Sequence, residues 1–263
     1  MEVFKYLTSY YNNYDEDGRL TIKHGQVEFL TTMKYIDKYI EKGMRVLEVG
    51  AGTGRYSLTL AERGYQVDSI ELIQHNIDIL KSKIKENYNI EVKQGNAIDL
   101  SCYPDETFDI TLVLGPLYHL FKDEDKKKAI SEAIRVTKKD GIVFVSYCMN
   151  EARIIGWGFK NGNILSALDS GIVDGVTFKF KSDPSSFLFE LYRREDIERL
   201  MSEFKVQPLH YIATDLATNY MRETINEMDD VMFEAYLNYH FSVCERSDLV
   251  GVTHHSLDVF RKN

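Results

Sequence analysis

Three glycines in five residues, Gly50-Ala51-Gly52-Thr53-Gly54, lie between two carboxylates, Glu48 just before them and Glu71 further on. Such a run makes a tight turn and lets a ligand approach the backbone without Cβ interference. The first free N–H groups of a following helix would point at that ligand. The spacing is GxGxG; a dinucleotide fingerprint would place its third glycine at Arg55. A carboxylate at Glu48 opposes a pyrophosphate and suits a ligand that carries an ammonium and a sulfonium. A carboxylate at Glu71, ending the next apolar run, can accept hydrogen bonds from both hydroxyls of a ribose.

These residues need a strand, a turn and a helix to hold them, and the pattern supplies them. Arg45–Val49, Gln66–Ile70, Ile90–Lys93, Phe108–Leu114 and Gly141–Met149 read as short, nearly continuous apolar strands. Helical periodicity separates them, to about Arg63, over Gln74 to about Glu86, and over Asp123–Thr137. Apolar strands alternating with helices predict a parallel sheet covered on both faces, a doubly wound α/β fold. Such folds bind ligands beyond the carboxyl ends of their strands. Before this core, Gln26–Ile40 reads as an amphipathic helix behind a tyrosine-rich segment (Tyr6, Tyr10, Tyr11, Tyr14). After it, Arg194–Phe204 reads as a helix, Val206–Ala213 as a strand, Thr218–Phe241 as helical and Ser256–Arg261 as a closing strand. The implied division is 1–43 as an N-terminal arm and helix over the site, and 44–149 as the ligand-binding core. Residues 150–190 form an insertion or lid. Residues 191–263 complete the sheet, with a helical insertion at about 217–246.

VLEVGAGTG, with Glu71, resembles the first motif and the acidic ribose position of the class I S-adenosylmethionine-dependent methyltransferases, over roughly residues 44–150. The resemblance implies a mostly parallel Rossmann-like sheet and S-adenosylmethionine as cofactor, with S-adenosylhomocysteine as product. It implies cofactor contacts from Glu48, Gly50, Ala51, Gly52, Thr53, Gly54, Glu71 and Leu72. Asn96 and Ala97 fall where the family places residues beside the adenine. Leu114 opens the loop that borders the methyl group in such enzymes, and Tyr118 and His119 in that loop are the candidate catalytic residues, His119 as general base or acceptor-orienting group. Related enzymes often fold an N-terminal segment over the site, where Tyr10 and Tyr14 would fence the cofactor and Arg19 pair with its carboxylate. Lys139-Asp140-Gly141 departs from the family's usual turn, where only a change of chain direction is needed. Trp157, Phe159, Tyr192 and Arg193 are candidates for an acceptor pocket. His210, His254 and His255 show no metal-like spacing with carboxylates and read as structural or exposed; no metal is expected. Lys122–Lys128 reads as a solvated helix start.

The chain has a formal net charge of −9, and its three cysteines form no CxxC pair. An acidic balance argues against nucleic acid as partner, and a small-molecule acceptor is expected. The first twenty residues lack a signal-peptide pattern and no apolar run nears the length of a membrane span, so a cytoplasmic protein with no membrane partner is expected. The rival readings are an RNA or protein methyltransferase, a non-catalytic S-adenosylmethionine sensor and a nicotinamide-dependent oxidoreductase. The acceptor atom and the oligomeric state are not legible.

Overall fold

The computed structural model describes residues 2–263. Eight strands form one sheet: β1 (Arg45–Val49), β2 (Gln66–Glu71), β3 (Ile90–Gln94), β4 (Phe108–Val113), β5 (Thr137–Met149), β6 (Leu191–Tyr192), β7 (Val206–Ala213) and β8 (His255–Lys262). Their order is β3-β2-β1-β4-β5-β8-β7, with the short β6 pairing parallel to the end of β5. All pairs are parallel except those of β8, which runs antiparallel to both β5 and β7. The strand order reverses between β1 and β4, the crevice where ligands of this fold class bind.

The alternation along each strand explains the two-sided core. From β1, Leu47 and Val49 face one layer and Val46 the other; from β5, Val143, Val145 and Tyr147 oppose Ile142 and Phe144. On the first face lie Ala129, Ile130 and Ala133 of α6 (Asp123–Val136) and Ile197 and Leu200 of α9 (Arg194–Met201). On the other lie Phe29, Met33 and Ile36 of α3 (Lys23–Ile36), and Tyr56 and Leu60 of α4 (Arg55–Glu62). The remaining α-helices are α1 (Glu2–Tyr11), α2 (Glu16–Arg19), α5 (Gln74–Ser82), α7 (Asn150–Arg153), α8 (Ile164–Asp169), α10 (Arg222–Glu227) and α11 (Asp230–Val243). None of the described helices is long and apolar enough to cross a membrane.

Three local readings change. Strand β5 starts at Thr137, not Gly141, because a bulge lets Phe108 pair with Thr137 and Ile110 with Ile142. Asp140 takes up the slack in a left-handed conformation (φ 61°). The helical stretch after Thr218 is interrupted at Met228-Asp229, where Asp229 caps α11 by accepting from the Met232 N–H; Ile225 and Phe233 then pack on Val27 of α3. Lys126 is not solvated: its side chain is buried and reaches Glu190 at 2.7 Å, tying α6 to the segment that leads into β6.

Gly54 begins α4 at φ 87°, and a Cβ there would sit 2.6 Å from Leu80 of α5. Gly54→Ala therefore combines left-handed strain of about 1–2 kcal/mol with a clash in packed side chains. Calorimetry is expected to show a fall in Tm of about 5–10 °C. An unchanged Tm would mean that the turn before α4 relaxes freely.

Candidate active site

At the carboxyl ends of β1 and β4, a cavity of about 680 Å³ opens, within the usual range for small-molecule sites. Its floor is the glycine turn. Gly50 (φ 76°) is pressed against Pro116, whose ring carbons would lie 2.7–2.8 Å from an added Cβ. Gly52 faces open space bounded only by Glu16. Of the sequence candidates, Glu48, Gly50, Ala51, Gly52, Thr53, Glu71, Leu72, Asn96, Ala97, Leu114, Tyr118, His119, Tyr14 and Arg19 all line this cavity. Gly54 does not; its role is the close approach of α4 to Leu80.

The two carboxylates are used differently. Glu71 accepts from the Gly52 and Ile73 N–H groups, each at 2.8 Å, and so pins the turn to the end of β2. A carboxylate offers about four lone-pair sites, so acceptor capacity remains. Beside it Asn76 Oδ1 is buried without a partner. A ligand with vicinal hydroxyls satisfies both groups, and the residues present fit the ribose of S-adenosylmethionine. Glu48 points along its strand face to α4, accepting from the Ser57 N–H (2.9 Å) and hydroxyl. Burial pushes its carboxyl up to about 8, despite the Ser57 bonds. Glu48 thus caps the helix as well as lining the cavity.

Arg19 is not free for a cofactor carboxylate. It donates to Glu16 (3.0 Å) and to Glu28 of α3 (2.8 Å). Glu28 lies 3.2 Å from His255 Nδ1, and Asp215 lies 3.6 Å from both His254 and His255. The reading of His254 and His255 as structural or exposed is therefore corrected: both line the cavity. Strands β7 and β8 pair antiparallel, which brings Asp215 at the end of one beside the histidines at the start of the other; spacing along the chain hid this. Asp215, His254 and His255 each offer an atom within 4.8 Å of the others, a grouping open to a metal ion. Burial alone would neutralise His255, but Glu28 and Asp215 hold its imidazolium well above the ordinary histidine range. Burial opposes ionisation of Glu28 too, yet Arg19 and His255 bring it down to about 2.

In the loop after β4, Tyr118 donates its hydroxyl to the Leu114 carbonyl (3.0 Å) and is a wall. His119 Nδ1 lies 2.8 Å from the Leu188 carbonyl. A carbonyl only accepts, so Nδ1 carries the proton and Nε2 a lone pair. That lone pair accepts from the Tyr11 hydroxyl at 2.8 Å. Burial lowers His119 to about 4, so it is neutral at physiological pH. Tyr11 was named in the tyrosine-rich segment but given no role of its own. Its signal was the helical spacing of Val3, Leu7 and Tyr11 within α1, all of which line the cavity. Tyr14 is partly exposed and stacks on Tyr10 (5.1 Å). Of the acceptor-pocket candidates, Trp157, Phe159, Tyr192 and Arg193 are not in the cavity lining. Instead Phe187 and Phe189 form that wall, with Arg153 beside them.

Residues 46–141 match a family model described as "Methyltransferase domain". The chain is 26% identical, over 63% of its length, to a glycine/sarcosine N-methyltransferase of Aphanothece halophytica. It is 28% identical, over 66% of its length, to a glycine/sarcosine/dimethylglycine N-methyltransferase of Actinopolyspora halophila. The match spans 67% of the first protein and 33% of the second. Among solved structures, a SAM-dependent methyltransferase of Methanosarcina mazei superposes with a TM-score of 0.58 at 15% identity, covering 87% of this chain and 96% of that one.

Two outcomes are expected. Charge-assisted hydrogen bonds contribute roughly 1.5–3 kcal/mol each, so Glu71→Ala should weaken S-adenosylmethionine binding at least tenfold by calorimetric titration, and unchanged affinity would remove Glu71 from the ribose site. Glu48 has a folded pKa raised above its unfolded value, so its contribution to stability is full below about pH 4.5 and is lost as pH rises through about 8. Glu48→Gln is therefore expected to melt several degrees above the wild type at pH 8.5, with the gap closing by pH 5; a gap independent of pH would show that Glu48 does not titrate in this range.

Proposed function

We propose that the chain, whose residues 46–141 match a methyltransferase domain, is a class I S-adenosylmethionine-dependent methyltransferase that methylates a nitrogen of a small-molecule amine. When bound, S-adenosylmethionine supplies the methyl group as an electrophilic sulfonium. The chain's own task is to hold the acceptor in line, exclude water and accept a hydrogen bond or proton from it.

The observation that carries the reading is the neutral His119 with its Nε2 lone pair turned to Tyr11. A base held at about 4 is far too weak to take a proton from an alcohol. It suits an acceptor atom that is nucleophilic as soon as it is neutral. An amine that displaces the Tyr11 hydroxyl from Nε2, or bonds to it, would have its lone pair oriented by that fixed imidazole. Both relatives above carry "N-methyltransferase" in their names, which supports nitrogen over sulfur. The acidic chain and a cavity roofed by α1 favour a small acceptor over RNA.

The test is transfer from methyl-labelled S-adenosylmethionine into a bacterial extract split by size. Label is expected in small molecules, on nitrogen, with kcat reduced about 10-fold or more by His119→Ala, since misplacing the attacking atom by about 1 Å can cost roughly 10²-fold. Activity should rise with pH as the acceptor amine deprotonates, with no limb near pH 6–7 from His119. Label in RNA or protein would overturn the substrate class. Confirmed cofactor binding with no label in any fraction, from several extracts, would favour a sensor.

A further inference from the structure

Arg153, the last residue of α7, lines the same cavity beyond the aromatic wall of Phe187 and Phe189. Its guanidinium carbon lies 4.3 Å above the Trp157 ring, 4.4 Å from Phe187 and 5.7 Å from Phe180. Among the described residues no carboxylate lies within ion-pair distance of it, and its Nε is buried with no hydrogen-bond partner. The acid next to it on the helix, Glu151, is taken by Arg193 at 2.7 Å. The contrast with Arg19 is direct: that guanidinium, in the same cavity, has two carboxylates. Burial without a counter-charge pulls Arg153 below the usual arginine range, yet an arginine stays protonated. A half-buried cation without a partner is costly. The rings fix its plane but supply no acceptor oxygen, and a planar fork of N–H donors matches the paired oxygens of a carboxylate or phosphate.

From this we infer that Arg153 seats an oxyanion on the methyl acceptor, so that the substrate is an amine bearing a carboxylate, phosphate or sulfonate at the end remote from the methylated nitrogen. The inference rests on the small-amine reading above and narrows it. Phe189 links the two ends: its ring lies 5.0 Å from His119 and 5.5 Å from Phe187, which in turn packs on Arg153. The amine end belongs at His119 and the anionic end at Arg153, with a short apolar path between them. Among the carboxylates that line the cavity, Glu16 and Glu71 disfavour an anion beside them, which opposes the reverse direction of binding.

Trp157 is the chain's single tryptophan, so its fluorescence reports on Arg153 directly. The full-length protein, saturated with S-adenosylhomocysteine, is titrated with acetate and with inorganic phosphate at constant ionic strength. A saturable change with a Kd in roughly the millimolar range is expected, weakened at least tenfold in Arg153→Ala and partly recovered in Arg153→Lys. In parallel, the small-molecule extract is split on an anion exchanger at pH 10, where plain amines pass and acid-bearing amines are retained. Label is expected in the retained fraction, with Arg153→Ala raising KM at least tenfold while kcat stays within about threefold. Either a fluorescence titration with no saturable, Arg153-dependent change, or label confined to the unretained amines, overturns the inference while leaving methyl transfer to amines standing. If Arg153→Ala weakens S-adenosylhomocysteine binding tenfold, the guanidinium serves the cofactor's carboxylate and the inference fails. If no amine is labelled at all, the function proposed above fails, and the anion titration still decides whether the seat exists.

Discussion

The chain of buried charges from Arg19 through Glu28 to His255 and Asp215 joins four separate stretches of sequence. Arg19 ends α2 in the N-terminal arm, Glu28 lies in α3, Asp215 lies two residues beyond β7 and His255 opens β8. Each ion is costly to bury alone, and removing one partner from such a group leaves an uncompensated charge. The remaining acceptor of Asp215 is spent as well: its Oδ1 takes the Thr253 hydroxyl (2.6 Å) and the His254 N–H (2.8 Å). The arm is thus docked by electrostatics that work only when the far end of the sheet is in place. Packing of α1 over the cavity then follows, because Arg19 fixes where the arm ends.

That docking sets the character of the space beneath it. Tyr11 reaches His119 only because the arm is held, and the arm in turn removes water from the imidazole and keeps it neutral. Burial acts the same way on Glu48 and Glu71, whose carboxyls are both raised. A ligand bearing an ammonium and a sulfonium brings positive charge to these carboxylates and favours their ionised forms. The site is preorganised by its own desolvation: the burial that disfavours these carboxylates turns to attraction when a cation enters.

Much of this was legible in the sequence where the signal was local. The strand of Arg45–Val49, the glycine turn and the strand of Val206–Ala213 have the bounds that the apolar runs indicate. Glu71 could be placed because its position at a strand end follows from the run before it. The missed charge partners share one cause. His254, His255 and Asp215 are forty residues apart in their two groups and meet only through antiparallel pairing. Arg19 and Glu28 pair across a turn between two helices. Lys126 looked solvated because its partner, Glu190, comes from beyond the insertion. Charge partners over such separations leave no periodic trace, whereas burial of a strand or helix face does.

The insertion after β5 shows how the general core acquires a particular chemistry. Its apolar residues, Ile154, Ile164, Ala167, Val173 and Phe180, form a small core of their own, anchored on Tyr118 and Cys148 of the main sheet and its loop. The Glu190 N–H donates to the Tyr118 carbonyl at 2.7 Å, and Leu188 supplies the carbonyl that fixes the His119 tautomer. The same segment therefore both orients the imidazole and carries Arg153. A change in this insertion would shift the base and the far wall together. The cofactor turn would stay as it is, since Glu71, Gly52 and Ile73 are bonded to one another independently of it. On the proposed function, cofactor binding and acceptor choice are thereby separated along the chain: the first falls to β1, β2 and their turns, the second to an arm and an insertion that meet at His119 and where Tyr10 packs on Phe189.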